Sequence, residues 1–298
     1  MKRILAIDGG GIRGLYAATF LSEIEKMLEI QISDYFELIC GTSTGAIISA
    51  ALACGIPAET IKDLYIKEGA AIFRKRNVVP FIKSHYGSEK LYSCLKKQFK
   101  NISMGEVKTN LLITSFNITT GLPVIFKSVE HKDYYMDRKR SVVDCIMCST
   151  AAPTYFDPYF MDGCYYVDGG VGANNPALVG YTEALGSRLG WKKEEVYVLS
   201  IGTLNEAMQS KAKKHVGYKD VQQIISWFMN AESQYSSNIT RLLLDNDHYL
   251  RINRTITDNF LKMDNPSSEN LEYMRGVGVE DAKKYISVIN DVFIRHNK

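Results

Sequence analysis

Several features that mark other protein classes are missing from this 298-residue sequence. Its longest largely apolar stretch, Ala46–Ala53, is far shorter than the roughly 20 residues that a transmembrane helix needs. The apolar run Ile4–Ile7 is likewise too short for the core of a signal peptide. A formal net charge of +3 is too small to indicate a nucleic-acid polymer as the main partner. We therefore expect a cytoplasmic globular protein that binds no nucleic acid.

The cysteines and histidines are few, and neither set has the spacing of a metal site. The six cysteines stand in a chain without a secretion signal, so we expect reduced and mostly buried thiols. Cys145-x-x-Cys148 lacks a second pair to complete a zinc site, and its spacing suits a buried helix. We predict no metal and no cofactor.

Short apolar strands alternate with helical patterns through the first two thirds of the chain. Such an alternation predicts a mostly parallel sheet covered by helices on both faces. The strand candidates are Arg3–Ile7, Phe36–Cys40, Leu111–Phe116, Val124–Ser128, Tyr165–Val167 and Val196–Ile201, and the first two helices are Leu15–Leu28 and Thr44–Ala53.

Helical patterns dominate from about Gly217 onward. Near the end, Ala282, Ile286, Ile289 and Phe293 follow one another at spacings of four, three and four, which predicts a helix that packs one face on the body. We divide the chain into a catalytic core, residues 1–205, and a mainly helical extension, residues 206–298, on the same domain.

A candidate nucleophile stands at Ser43. The strand Phe36–Cys40 runs directly into the G-x-S-x-G sequence Gly41-Thr42-Ser43-Thr44-Gly45, and a helix follows. Glycine two positions before and after the serine suits a turn too sharp for Cβ atoms. Such a turn presents the serine hydroxyl above a helix N-terminus, which favours negative charge there. The alternative is a plain glycine-rich loop that caps a helix.

A glycine-rich loop, Asp8-Gly9-Gly10-Gly11-Ile12-Arg13-Gly14, follows the first strand and opens the first helix. Its backbone N–H groups can converge on an anion, which in an acyl hydrolase is the oxyanion of the tetrahedral intermediate. The same glycines also match the dinucleotide fingerprint G-x-G-x-x-G. Two features count against that alternative: Asp8 would lie beside the pyrophosphate, and the next strand ends at Ser43 and not at a ribose-binding acid.

The sequence offers Ser43 no well-placed histidine. The five histidines are His85, His131, His215, His248 and His296, and none follows a strand at a glycine turn. By contrast, the strand Tyr165–Val167 leads to Asp168-Gly169-Gly170. A partly desolvated aspartate can act as the base, although an Asp-Gly turn is also common without function.

Together these three motifs resemble the patatin-like phospholipases, in particular their bacterial members. That family carries a D-G-G-G-x-R-G loop, a G-x-S-x-G nucleophile and a D-G-G/A acid in this order. Here they stand at Asp8–Gly14, Gly41–Gly45 and Asp168–Gly170, with Ser149-Thr150-Ala151-Ala152-Pro153 before the acid and Asn174-Asn175-Pro176 after it. The resemblance extends over roughly Lys2 to Thr203.

The resemblance implies a three-layer α/β/α fold and a phospholipase A-type lipid acyl hydrolase that needs no metal. It makes Ser43 the nucleophile and Asp168 the general base, with the oxyanion held by the loop of Gly9, Gly10, Gly11, Arg13 and Gly14. A soluble carboxylesterase or thioesterase, a dinucleotide-dependent enzyme and a non-catalytic membrane-binding protein are the alternatives.

Access to lipid and regulation are further expectations. The segment Ile72–Lys83 mixes bulky apolar residues with four cations, so it could form a lip at a transient membrane surface, or equally an ordinary helix end and loop. Some small bacterial patatin-like enzymes are effectors of anti-phage signalling that a cyclic nucleotide switches on. The resemblance therefore leaves room for such an activator, and the run Ser210–Lys214 could meet its phosphate or be a solvated loop.

Overall fold

The computed structural model describes residues 1–76, 84–206, 220–256 and 261–295. The strands are β1 Lys2–Ile7, β2 Leu38–Gly41, β3 Asn110–Asn117, β4 Leu122–Lys127, β5 Tyr159–Met161, β6 Cys164–Asp168, β7 Val196–Ile201, β8 Asn205–Glu206, β9 Tyr249–Ile252 and β10 Thr255–Ile256. The α-helices are α1 Gly14–Leu28, α2 Thr44–Ala53, α3 Ala58–Ile72, α4 Glu89–Phe99, α5 Tyr135–Lys139, α6 Val142–Thr150, α7 Ala177–Leu185, α8 Val221–Leu243 and α9 Ser268–Ile289.

The main sheet has eight strands, and its centre is parallel. The order is β5-β6-β3-β2-β1-β7-β9, with β4 also paired to β3. The neighbouring strands β3, β2, β1, β7 and β9 are all parallel to one another, while β4 and β6 run antiparallel to β3. The carboxyl ends of β1 and β2 therefore lie side by side, which brings the glycine loop after β1 next to the turn after β2.

Helices cover both faces of this sheet, as the residues of β1 illustrate. Leu5 and Ile7 belong to a large apolar core shared with α1 and α2, whereas Ile4 and Ala6 point to the other face and pack in a second core with Tyr181 of α7. All four β1 side chains are completely buried. The predicted three-layer arrangement with a mostly parallel sheet is confirmed.

The segment after residue 205 is mainly helical, but it also contributes to the sheet. β9 pairs with β7 in parallel register, so the sheet ends on a strand from this segment. α9 packs on α1. Of the four residues with the predicted spacing, Ala282 and Ile289 of α9 and Phe293 after it are buried, and Ile286 is half-buried. The boundary at residues 205 and 206 stays a prediction. Within the described ranges, no helix combines the length and apolar character needed to cross a bilayer.

The thiols are placed as the sequence predicts. All six cysteines are free, and four of them are buried. Cys145 and Cys148 lie on α6 with no solvent exposure, and burial raises the pKa of both thiols. They belong to the apolar core.

Candidate active site

Ser43 occupies a sharp turn between β2 and α2. Its φ of 54° and ψ of −121° are unusual for a residue with a side chain, and this kind of backbone strain concentrates at functional sites. The flanking glycines are required by close packing. A Cβ at Gly41 would lie 2.3 Å from the carbonyl oxygen of Gly45, and a Cβ at Gly45 would lie 2.1 Å from that of Ile7. The strand–turn–helix context predicted for the G-x-S-x-G motif is present.

Asp168 ends β6 and contacts Ser43 directly. The Ser43 hydroxyl donates a hydrogen bond to Asp168 Oδ2 over 2.5 Å, and the N–H of Gly170 donates to Asp168 Oδ1 over 2.7 Å. Only 2% of Asp168 is exposed. Burial raises its pKa to about 6, against the opposing hydrogen bonds from Ser43 and Gly170. The carboxyl group can therefore gain and lose a proton near neutral pH.

The turn after Asp168 is packed too closely for side chains. A Cβ at Gly169 would lie 2.2 Å from Thr114 Oγ1, and one at Gly170 would lie 2.7 Å from Met229 Cε. The turn therefore packs against strand β3 on one side and against α8 on the other.

The glycine loop supplies backbone N–H groups beside Ser43. The Gly9 amide is already used, because it donates to the carbonyl oxygen of Asn174 over 3.1 Å. In the part of the chain that the structure describes, the amides of Gly10 and Gly11 have no hydrogen-bond partner. Gly11 has a φ of 60° and lines the same cavity as Ser43. Of the predicted oxyanion loop, Gly10 and Gly11 therefore offer available donors.

Arg13 and Gly14 shape the same loop in other ways. The Arg13 side chain is buried, and the backbone N–H of Arg13 closes the loop by donating to the Gly10 carbonyl oxygen over 3.2 Å. Gly14 begins α1 where a Cβ would lie 2.1 Å from Thr44 Oγ1. Gly14 thus lets α1 approach the start of α2, whose first N–H groups lack partners within the helix.

Asp8 turns away from the loop and pairs with an arginine that the sequence analysis did not identify. Arg251 of β9 donates to Asp8 Oδ1 over 2.8 Å and to Oδ2 over 2.5 Å, and Ser233 donates to Oδ2 over 3.0 Å. Burial raises the pKa of Asp8, and the Arg251 guanidinium opposes that shift. The ion pair fixes the start of the glycine loop to the edge strand. Asp8 is thus committed to structure, not to a ligand.

The motif blocks before and after Asp168 hold Ser43 and the glycine loop in place. Ser149 of α6 is fully buried, and its hydroxyl oxygen accepts the N–H of Ser43 over 2.8 Å. The side-chain amide of Asn174 donates to Ser233 Oγ over 3.1 Å, and the backbone carbonyl oxygen of Asn174 accepts the N–H of Gly9. The sequence pointed to both blocks by resemblance alone. Their contacts give each a positioning role.

A cavity with about 870 Å³ of empty space, its mouth included, opens onto Ser43 and Asp168. Its wall comes from α2, α3, α4, α8 and the segment after α6, and is almost entirely apolar; examples are Ile47, Leu64, Ile72, Leu91, Phe156 and Met229. A concave, mostly apolar lining with a few polar groups at one point is typical of sites for small molecules. A hydrocarbon chain would lose water there without leaving polar groups unpaired.

None of the described histidines hydrogen-bonds to Ser43. His85 contacts Gln222, His131 accepts the N–H of Asp133, and His248 stacks on Tyr197. His215 and His296 lie outside the described residues. Asp168 is thus the group with basic character that contacts the Ser43 hydroxyl in the part of the chain that is described.

The predicted lip is described only in part. Ile72 and Phe73 line the cavity, as an access segment requires. Arg76 is paired with Asp157 over 2.8 Å and with Glu89 over 3.1 Å, so its charge is already engaged. Residues 77–83 lie outside the described residues, and so does the lysine run 210–214.

Comparisons with known proteins point to one family. The sequence profile of the family described as "Patatin-like phospholipase" matches residues 5–181. A "cGAMP-activated phospholipase" from Pseudomonas aeruginosa is 35% identical over 206 residues, which cover 67% of this chain and 62% of that protein. A protein of the same name from Escherichia coli is 29% identical over 311 residues, covering 93% of this chain and 87% of that protein.

Plant and structural relatives extend the same picture. "Patatin-like protein 2" from Arabidopsis thaliana is 30% identical, covering 96% of this chain and 84% of that protein. The solved structure of VipD from Legionella pneumophila shares the fold with a TM-score of 0.51 and 14% identity, covering 96% of this chain and 66% of that one. The chain thus spans less than two thirds of the Pseudomonas relative's length but most of the others'. Because the matching profile covers more than half of its residues, this chain belongs to the patatin-like phospholipase family.

Proposed function

We propose that this chain is a lipid acyl hydrolase of the phospholipase A type, in which Ser43 is the nucleophile and Asp168 is the general base. One observation carries the proposal: the hydroxyl of a strained serine donates over 2.5 Å to a buried carboxyl group at the wall of an apolar cavity. The family membership and the names of the bacterial relatives support the same chemistry.

The first half-reaction forms an acyl-enzyme. Ser43 Oγ attacks the ester carbonyl carbon while its proton passes to Asp168 Oδ2. The carbonyl oxygen then carries negative charge, and we assign its stabilisation to the amides of Gly10 and Gly11, which have no hydrogen-bond partner among the described residues. Each such donor stabilises the transition state by about 3–4 kcal/mol in comparable sites. The positive end of α2 adds to this field.

Asp168 then acts as an acid and again as a base. It gives the proton to the oxygen of the leaving alcohol as the bond between that oxygen and the acyl carbon breaks. In deacylation it takes a proton from water, whose oxygen attacks the acyl carbon. It returns this proton to Ser43 Oγ as the bond between Oγ and the acyl carbon breaks and the fatty acid leaves. A pKa of about 6 suits both directions, because neither form of the carboxyl group is strongly favoured near neutrality.

The cavity supports the proposed substrate class. Its apolar wall fits the fatty acyl chain of a phospholipid or a related lipid ester. A soluble carboxylesterase or thioesterase would use the same two residues, so only the substrate profile separates these functions. Dinucleotide binding is disfavoured because the strand that would carry the ribose-binding acid ends at Ser43.

The test is hydrolysis of phospholipid vesicles and of a chromogenic short-chain ester by wild type, Ser43→Ala and Asp168→Asn. Ser93→Ala and Asp63→Asn, both on exposed helix surfaces, are matched controls. We expect both dyad variants to fall to background and both controls to match wild type. Full activity of Asp168→Asn would show that a group other than Asp168 is the base. Activity on the ester without activity on vesicles would favour the soluble alternative.

Regulation by a cyclic nucleotide is a second part of the proposal. Its support is the printed name of the relatives, cGAMP-activated phospholipase. We propose that such a nucleotide switches the enzyme on. The enzyme then works in the cytoplasm and at the membrane surface, and it degrades membrane lipids in anti-phage defence. A nucleotide panel that leaves hydrolysis unchanged, and equal phage plating on cells with wild type and Ser43→Ala, would contradict these steps.

A further inference from the structure

Helix α8 has its polar and apolar faces reversed with respect to an ordinary surface helix. Its most buried positions include Ser233, Ser236 and Thr240, which hydrogen-bond to neighbouring groups. By contrast, Phe228 and Tyr235 are each 69% exposed, in a helix of 23 residues with two charged side chains. A surface helix normally turns its apolar stripe to the core. The apolar surface of α8 is therefore available to a partner outside the chain.

The exposed apolar residues lie along one side of the helix. Val221, Phe228, Tyr235 and Leu242 recur every seven residues, and Ile239 lies beside them. At 3.6 residues per turn, this spacing keeps them on one side of the helix over about 30 Å. Leu242, the last of the series, is 83% exposed. We call this set the α8 stripe.

The α8 stripe continues the wall of the catalytic cavity. Ile225 and Met229 of the same helix line that cavity. Phe228 lies next to Met229 in the chain, but its side chain is on the exposed side of the helix. Val171, which also lines the cavity, is 49% exposed at the mouth. Glu232 lies on this side of α8 one turn after Phe228, where it is half-buried and its carboxylate accepts the N–H of Asn175 over 2.9 Å. Apolar side chains of α8 therefore reach from the chamber of Ser43 to the outer surface beside one engaged carboxylate.

We propose that the α8 stripe lies on the surface of a phospholipid bilayer and holds the cavity mouth against it. This inference rests on the proposed function, because a lipid hydrolase must take its substrate from such a surface. A helix of this length with aromatic and aliphatic residues on one side suits the boundary between head groups and acyl chains. Lipid could then pass from the bilayer into the cavity along an apolar path.

A second copy of the chain fits the α8 stripe less well. Phe228 and Tyr235, aromatic side chains of about 150–250 Å² each, and the three aliphatic members together expose on the order of 600 Å². A stable protein interface needs about 800 Å² on each partner. A patch of this size is at the upper end of what monomeric proteins expose, and such patches are often functional.

The test separates docking from catalysis. Phe228→Ser/Leu242→Ser is made in wild type and in Ser43→Ala, and the control is Tyr135→Ser/Met136→Ser, a pair on α5 that is 58% and 61% exposed. Flotation with vesicles of phosphatidylethanolamine and phosphatidylglycerol measures binding, and a short-chain ester measures the dyad. Sedimentation velocity measures self-association.

We expect the α8 variant to lose at least tenfold in vesicle partitioning and vesicle hydrolysis, while ester hydrolysis stays within twofold of wild type. The α5 variant should behave as wild type. Unchanged partitioning of the α8 variant would overturn the proposal, as would a wild-type dimer that this variant abolishes. Vesicle binding through the α8 stripe by a protein that hydrolyses no ester would retain the docking surface and remove the proposed function.

Discussion

Replacement of Asp168 by asparagine should stabilise the protein while it removes the base. Asp168 is 2% exposed and has no cationic partner among its described hydrogen bonds, which come from Ser43 and Gly170. Burial therefore disfavours its charged form and raises its pKa from 3.8 to about 6. Asparagine has nearly the same shape, can still accept from Gly170, and carries no charge at any pH.

The sign and size of the effect follow from proton linkage. Between about pH 4 and pH 6 the native protein still holds a proton that the unfolded chain has released, so the free energy of unfolding falls as pH rises through this window. Above the window the loss is complete, and the pKa difference corresponds to about 3 kcal/mol. A weakened hydrogen bond to Ser43 offsets about 1 kcal/mol. We thus expect Asp168→Asn to be more stable than wild type by about 2 kcal/mol at pH 8.

Urea unfolding at a series of pH values from 4.5 to 8 measures this difference directly. The advantage of Asp168→Asn should shrink as pH falls and disappear near pH 4.5. Asp63→Asn is the control, because the Lys67 side chain lowers the pKa of that exposed carboxyl group and its effect has the opposite sign. A variant that is less stable than wild type at pH 8, or whose advantage does not change with pH, would refute the reasoning.

Three further predictions concern the groups around the dyad. Ester hydrolysis by wild type should rise with pH to a plateau, with its midpoint near pH 6, as Asp168 loses its proton; a profile that is flat from pH 5 to 8 would contradict this. Ser149→Ala leaves the Ser43 N–H unsatisfied, so the unfolding free energy should fall by about 1–3 kcal/mol and kcat should drop more than KM changes. Arg251→Met leaves Asp8 buried without its partner and should cost about 3–5 kcal/mol, part of which Asp8→Asn in the same chain should restore; thermal unfolding that is unchanged would contradict the ion-pair assignment.

Local sequence signals predict the elbow and the acid because each is fixed by its immediate neighbours. A buried strand, a glycine turn and a helix follow one another directly around Ser43, and Asp168 is the last residue of its strand. Sheet order then brings the two together, since β3 pairs with both β2 and β6. The sequence could name these residues but not their separation.

The partners from the last third of the chain could not be chosen in the same way. Asp8 needs a cation because it is buried, yet the sequence offers many and nothing local selects Arg251, 243 positions away. Strand β9 was missed for a related reason. It has four residues, and the arginine within it interrupts the apolar pattern that indicates a buried strand. The arginine can enter the sheet because Asp8 lies beside it and balances its charge.

The buried face of helix α8 could not be predicted from its sequence pattern either. Its apolar spacing is visible in the sequence, but amphipathicity alone indicates a core-facing stripe. The inward turn of Ser233 and Ser236 depends on polar groups of the loop after Asp168, which include the Asn175 carbonyl. Which face of α8 is buried is therefore decided by tertiary contacts.

The most direct test of the central claim is covalent trapping of the nucleophile. Wild type, Ser43→Ala and Asp168→Asn are treated with a long-chain fluorophosphonate and analysed by intact mass and peptide mapping. The account predicts one adduct per wild-type chain, located on Ser43, no adduct on Ser43→Ala, and labelling of Asp168→Asn slowed by at least a hundredfold. An adduct on another residue, or labelling of Asp168→Asn at the wild-type rate, would contradict the assignment of Ser43 and Asp168 as nucleophile and base.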